Sequence, residues 1–161
     1  MAQINQKFIN QVKEVISNQP IPPKYNPMEW EGKRFNCYAY AMRICMNLSG
    51  YRICPGFISR GADNDYEATK ESVLKLFMED CECLGLKVLP TTVSAIIRKN
   101  EYKIAVYVKE GDDFHFVRRD RNGKWSEKDG WWNGINLLKK KEIIKDHDGY
   151  KFIGVFRVSR K

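Results

Sequence analysis

The sequence predicts an α+β domain, with N-terminal helices packed on a C-terminal antiparallel sheet. Three observations carry that prediction. The first half of the chain repeats apolar residues at helical spacing. The second half holds β-branched and aromatic runs around an Asn-Gly turn. The whole has 161 residues, which is one domain's worth, so residues 1–161 read as a single domain.

The elements follow in order. Ile4, Phe8, Val12, Val15 and Ile16 form a helical stripe over residues 4–18. Pro20, Pro22 and Pro23 stop it and open a loop to about residue 34. A second helix is expected through NCYAYAMRICMNL, with Asn36 as N-cap and Gly50 as stop. Residues 51–64 read as loop, and a third helix covers residues 65–84 with Gly85 after it. Residues 92–99 suggest a short helix or turn. Strands are expected over 103–109, 112–120, 124–128 and 150–159, with Asn122-Gly123 turning the middle hairpin.

Composition excludes several classes. With 43% hydrophobic and 12% aromatic residues, the chain is too apolar to be disordered. No run approaches the ~20 apolar residues of a membrane span. The first 18 residues hold no apolar core of a signal peptide, so the expectation is a cytoplasmic protein, or one that leaves the cell without a signal. The five cysteines, Cys37, Cys45, Cys54, Cys81 and Cys83, are odd in number and read as reduced thiols, with Cys45 and Cys81 buried. The spacing of Cys81 and Cys83, and the distance between His115 and His147, do not suit a zinc site, and no metal or cofactor is expected. The net charge of +8 is spread out and reads as a solvated basic face; no recognition motif accompanies it, so a nucleic-acid partner is not expected.

Chemistry concentrates at Cys37, in the first turn of an expected helix. Unpaired N–H groups and partial positive charge there favour a thiolate and can hold an oxyanion. Such a cysteine needs a base. His115 lies on an alternating strand where Phe114 and Phe116 take the core face, leaving the imidazole on the other face with Val117 and Arg119. His147 lies in KDHDGY, a turn.

Asn36-Cys37-Tyr38-Ala39-Tyr40-Ala41 and Asp113-Phe114-His115-Phe116, with Gly123-Lys124-Trp125-Ser126 after it, resemble the papain-like cysteine hydrolases. The nearest branch is the NlpC/P60 and CHAP-like amidases and peptidases. The same stretches are similar to a loosely characterised group of bacterial and phage proteins with NCYAYA and HxxRxDxxGxWSxK patterns. The resemblance covers residues 25–130. It implies a papain-like fold and hydrolysis of an amide, peptide or isopeptide bond by Cys37 and His115. A peptide, a protein or a peptidoglycan peptide would be the substrate, with no membrane involved.

The third member depends on the hairpin. In a two-residue loop, Ser126 and Lys128 share the face of His115. In a three-residue loop with Gly123 left-handed, Asp120 pairs with Lys124, and Glu127 and Asp129 come alongside the imidazole. Glu127 is the first choice and Asp129 the second; a salt bridge from Glu127 to Arg119 is the competing role. Related enzymes often carry histidine at this place, and this chain departs from them. Tyr25 and Asn36 are the oxyanion candidates, Tyr25 because NlpC/P60 enzymes place a tyrosine upstream of the cysteine. Trp125, Trp131 and Trp132 read as core or cleft wall. The rival readings are an inactive papain-like binding module with a basic face, and a thiol transferase in which an amine replaces water.

Overall fold

The apolar stripe near the N-terminus forms α1 (Gln6–Ser17), which buries Ile9, Val12 and Ile16. The computed structural model describes residues 6–30, 35–48, 52–61, 64–130 and 134–161. The loop after α1 contains one short helical turn, α2 (Pro27–Trp30), whose Trp30 is buried.

The helix expected through NCYAYAMRICMNL is cut to five residues, α3 (Cys37–Ala41). Arg43 shows why. Its φ is +64°, and its guanidinium is drawn inward to donate to the carbonyls of Ile16 at 3.0 Å and Gln19 at 3.3 Å. It thereby adds a donor to two carbonyls at and just beyond the end of α1, the Ile16 carbonyl also accepting from the Gln19 amide at 3.2 Å, and the chain turns out of the helix to do so. Cys45 falls beyond α3 and is only partly buried, so its expected burial two turns along a helix is corrected; Cys81 is buried as expected.

Residues 51–64, expected as loop, contain a second short helix, α4 (Phe57–Arg60). The expected third helix is shorter at its start, α5 (Lys70–Cys83), because Thr69 caps it: Thr69 accepts from the Ser72 amide while the Ser72 hydroxyl accepts from Thr69. Gly85 follows at φ +71°, the left-handed stop that its position predicts.

Six strands form one antiparallel sheet: β1 (Leu86–Thr91), β2 (Glu101–Lys109), β3 (Asp113–Arg119), β4 (Trp125–Lys128), β5 (Ile135–Leu138) and β6 (Lys151–Arg160). Their spatial order is β1-β6-β2-β3-β4-β5. The sequence reading missed β1 and β5, and residues 92–99 are not helical. The β3–β4 hairpin pairs Arg118 with Ser126 and Arg119 with Trp125, and the Asp120 amide donates to the Lys124 carbonyl at 2.9 Å. With Gly123 at φ +82°, this is the three-residue loop.

Helices cover one face of the sheet, where Ile104, Val106, Phe116, Phe156 and Val158 join α1, α3 and α5 in the main core. The other face carries a smaller cluster of Ala105, Tyr107, Val117, Trp125, Ile143 and Val155. Trp125 is thus core, as expected; Trp131 and Trp132 lie outside the described residues. The α+β class and the packing of helices on an antiparallel sheet agree with the expectation. No helix among the described residues is long and apolar enough to cross a membrane.

Candidate active site

Each residue of the Asn-Cys-Tyr-Ala-Tyr-Ala stretch has a distinct task in placing Cys37. Asn36 caps α3: its side-chain oxygen accepts from the Ala39 amide at 2.9 Å, and its Nδ2 donates to the Ile53 carbonyl. That engagement commits the Asn36 side-chain amide, an oxyanion candidate, to the backbone. Tyr38 donates to Asp80 Oδ2 at 2.7 Å. Asp80, fully buried, also accepts from the amides of Gly56 at 2.9 Å and Ser59 at 2.8 Å. Ala39 and Ala41 are fully buried. The hydroxyls of Tyr40 and Ser126 lie 2.6 Å apart, so the helix is tied to α5 on one side and to β4 on the other.

The strand motif explains itself similarly. Arg118 Nε donates to Asp120 Oδ1 at 2.9 Å, its Nη1 donates to the Tyr40 carbonyl at 3.0 Å, and its guanidinium sits 3.8 Å over the Tyr40 ring. Ser126 donates to the other Asp120 oxygen. This buried polar network joins the helix that carries Cys37 to the hairpin that carries His115 and Glu127.

His115 occupies the centre of the arrangement. Its Nε2 lies 2.7 Å from Glu127 Oε1, with the two side chains 19% and 17% exposed. Cys37, buried, lies near enough to act on the ring. Burial alone would lower the imidazole's pKa, but hydrogen bonds and charge from Cys37 and Glu127 outweigh it and push it up to about 10. Burial would raise the Glu127 carboxyl; hydrogen bonds from His115 and Asn136, with the charge of His115, hold it below the ordinary range. The rings of Tyr107 and Tyr150 flank the imidazole, 6.0 Å and 6.2 Å away between centroids.

The structure thus brings Cys37, His115 and Glu127 together. Glu127 pairs with the imidazole, not with Arg119. Asp129 lines the same cleft of about 270 Å³ as His115 and Glu127. Tyr25 sits in the loop before α2; among the described residues no hydrogen bond ties it to Cys37 or His115.

A family model described as "Domain of unknown function (DUF7689)" matches residues 26–150. The chain belongs to that family. Cys37, His115 and Glu127 all fall within the matched span, whereas Tyr25 precedes it. A curated relative, "Insoluble matrix shell protein 1" of Ruditapes philippinarum, is 33% identical over 111 residues. The match covers 66% of this chain and 66% of that protein, just under two thirds of its length. No solved structure matches the chain.

Two residues near the site were not singled out by the sequence reading as site residues. His147, read as part of a turn, lies in one, bridged to Tyr150, yet its ring lines the His115 cleft and packs 5.8 Å from Tyr107. Lys128 is fully buried, donates to the Gly130 carbonyl at 2.8 Å, and has burial pulling its ammonium below the usual lysine range while Cys37 pulls it back. In the observed register Lys128 follows Glu127 onto the opposite, helix-covered face. A lysine in WSEK gives no sign of burial until that register is known.

Proposed function

We propose that this chain is a cysteine hydrolase of papain-like architecture that cleaves an amide, peptide or isopeptide bond. The observation that carries this reading is the imidazole of His115 paired with Glu127 at 2.7 Å beside the buried Cys37. The order of parts supports it too. A helix-start cysteine precedes the sheet, the histidine stands on a sheet strand, and the orienting carboxylate comes from the neighbouring strand. Such a nucleophile, base and orienter acting in line is the logic of triad catalysis.

In this reading the Cys37 sulfur attacks the carbonyl carbon. His115 hands its proton to the departing amine, leaving an acyl thioester on Cys37. A water then gives a proton to His115 and its oxygen to the acyl carbon, releasing the acid and restoring the pair. Glu127 holds the imidazole in one orientation and stabilises its charge. Lys128 adds a cation near the sulfur. A five-residue helix adds little dipole, so His115 supplies most of the positive charge that the sulfur faces. Five thiols without a disulfide suit a reducing compartment such as the cytoplasm.

Selective alkylation tests the reading. Burial raises the thiols of Cys54, Cys81 and Cys83, so at pH 6 a low dose of iodoacetamide should label Cys37 first, as read by intact mass and peptide mapping. His115→Ala should slow that labelling and cut hydrolysis of a reporter peptide by about 10²–10⁴. Uniform labelling of all accessible thiols, at a rate rising with pH as for free cysteine, would remove the nucleophile. The name of the Ruditapes philippinarum relative favours a second reading, a binding or matrix module that keeps this fold without the chemistry. That outcome would leave it standing.

A further inference from the structure

A row of cations crosses the sheet face opposite the helices, well along β3 from His115. Lys103 on β2 pairs with Arg157 on β6. On its other side, the register that pairs Ile104 with Arg118 brings Lys103 abreast of Arg119, and Arg119 pairs with Trp125 on β4. Three cations therefore stand side by side on three adjacent strands. Like charges set directly opposite destabilise a sheet, so the row needs compensation.

The protein supplies little of it. Lys103 is 1% exposed, and its ammonium donates to the carbonyls of Val93, at 2.9 Å, and Ala95. Arg119 and Lys140 form no ion pair among the described residues. Arg157 Nε is buried without a hydrogen-bond partner. A cavity of about 240 Å³ opens over Lys103, Arg119 and Lys140, walled by residues 93–97 and Trp125, with no carboxylate in its lining. Burial, then the charges of Arg119 and Lys140, pull the Lys103 ammonium below the ordinary lysine range; an anion in the cavity would offset the charges of Lys103, Arg119 and Lys140, which line it.

We propose that this cavity binds a tetrahedral oxyanion, the phosphate or sulfate ester group of a small ligand. A guanidinium offers a forked pair of donors and the lysines add point charges from the cavity floor and rim. Together they match a group with three or more acceptor oxygens better than a planar carboxylate. The cavity shares no lining residue with the His115 cleft, so the site stands independently of the hydrolase reading.

Calorimetric titration of the full chain tests it, using inorganic phosphate, inorganic sulfate and acetate at one fixed ionic strength. One saturable site is expected for phosphate or sulfate. Arg119→Gln and Lys140→Gln, both at the cavity rim, should each weaken it tenfold or more. Lys7→Gln, exposed on α1, and Cys37→Ser should leave it unchanged. Glucose 6-phosphate against glucose 6-sulfate then assigns the source by whichever binds tighter. Absence of saturable heat, equal loss in Lys7→Gln, or acetate binding as tightly as phosphate would each overturn the proposal.

Discussion

Hydrogen bonds and charge from Cys37 and Glu127 outweigh burial at His115 and raise its imidazole pKa. The sign of the resulting pH dependence follows. A histidine raised from 6.5 to about 10 contributes stability that is complete below pH 6.5 and is lost as the pH rises through about 10. Glu127, held below its ordinary 4.5, contributes stability that is complete above pH 4.5 and is lost as the pH falls through its lowered value. The pair therefore stabilises most between pH 4.5 and 6.5. The difference in melting temperature between the wild type and Glu127→Gln should be largest in that window and shrink towards pH 10. A difference that grows on the alkaline side would mean that the two groups do not form an ion pair. The cysteines give a second expectation at this scale. Denatured chain treated with excess iodoacetamide and no reductant should gain five carbamidomethyl groups, and fewer would reveal a disulfide.

Among the elements, α3 and the β3–β4 hairpin act as one unit through the Arg118–Asp120–Ser126–Tyr40 network. Removing one partner of a buried ion pair leaves the other charge uncompensated and costs about 3–5 kcal/mol. Arg118→Met should lower stability by that amount in urea unfolding. Ser126→Ala, which deprives Asp120 and Tyr40 of a partner, should cost about 1–3 kcal/mol. Both should also slow Cys37 alkylation in the folded protein, because the network sets helix against strand. Loss of stability without any change in alkylation would separate the network from the site. Gly56 belongs to the same scaffold. At φ +95°, a Cβ there would stand 2.5 Å from Asn64 Nδ2, where Gly56 delivers its amide to Asp80.

Across the whole molecule, the family match ends at residue 150, but the sheet does not. β6 (Lys151–Arg160) lies between β1 and β2, pairing with Leu86–Thr91 on one side and Glu101–Val108 on the other. A chain ending at Tyr150 would expose two long strand edges and lose Phe156 and Val158 from the main core. It should show no cooperative thermal transition by circular dichroism; a sharp transition near that of the full chain would mean that β6 is dispensable.

Local pattern determined a good deal of this protein. The stripe that becomes α1, the proline-rich stop, the alternation along β3 and the Asn-Gly turn are all effects of neighbours in sequence, and period and turn chemistry report them. The same patterns placed Cys37 at a helix start and His115 opposite two phenylalanines, and they left two hairpin registers open. Tertiary structure chose between them, because only the three-residue loop puts Ser126 beside Asp120 and Tyr40. That choice sent Glu127 to His115 and buried Lys128. The early end of α3 was likewise a long-range matter: Arg43 leaves the helix to reach carbonyls at the end of α1. β1 and β5 were hidden because Pro90 and the short INLL run give weak strand signals, and pairing with β6 and β4 makes them strands. The cation row could not be read from sequence at all. Lys103, Arg119 and Arg157 are each ordinary strand residues, and only register across three strands, a quantity with no local signature, sets them abreast.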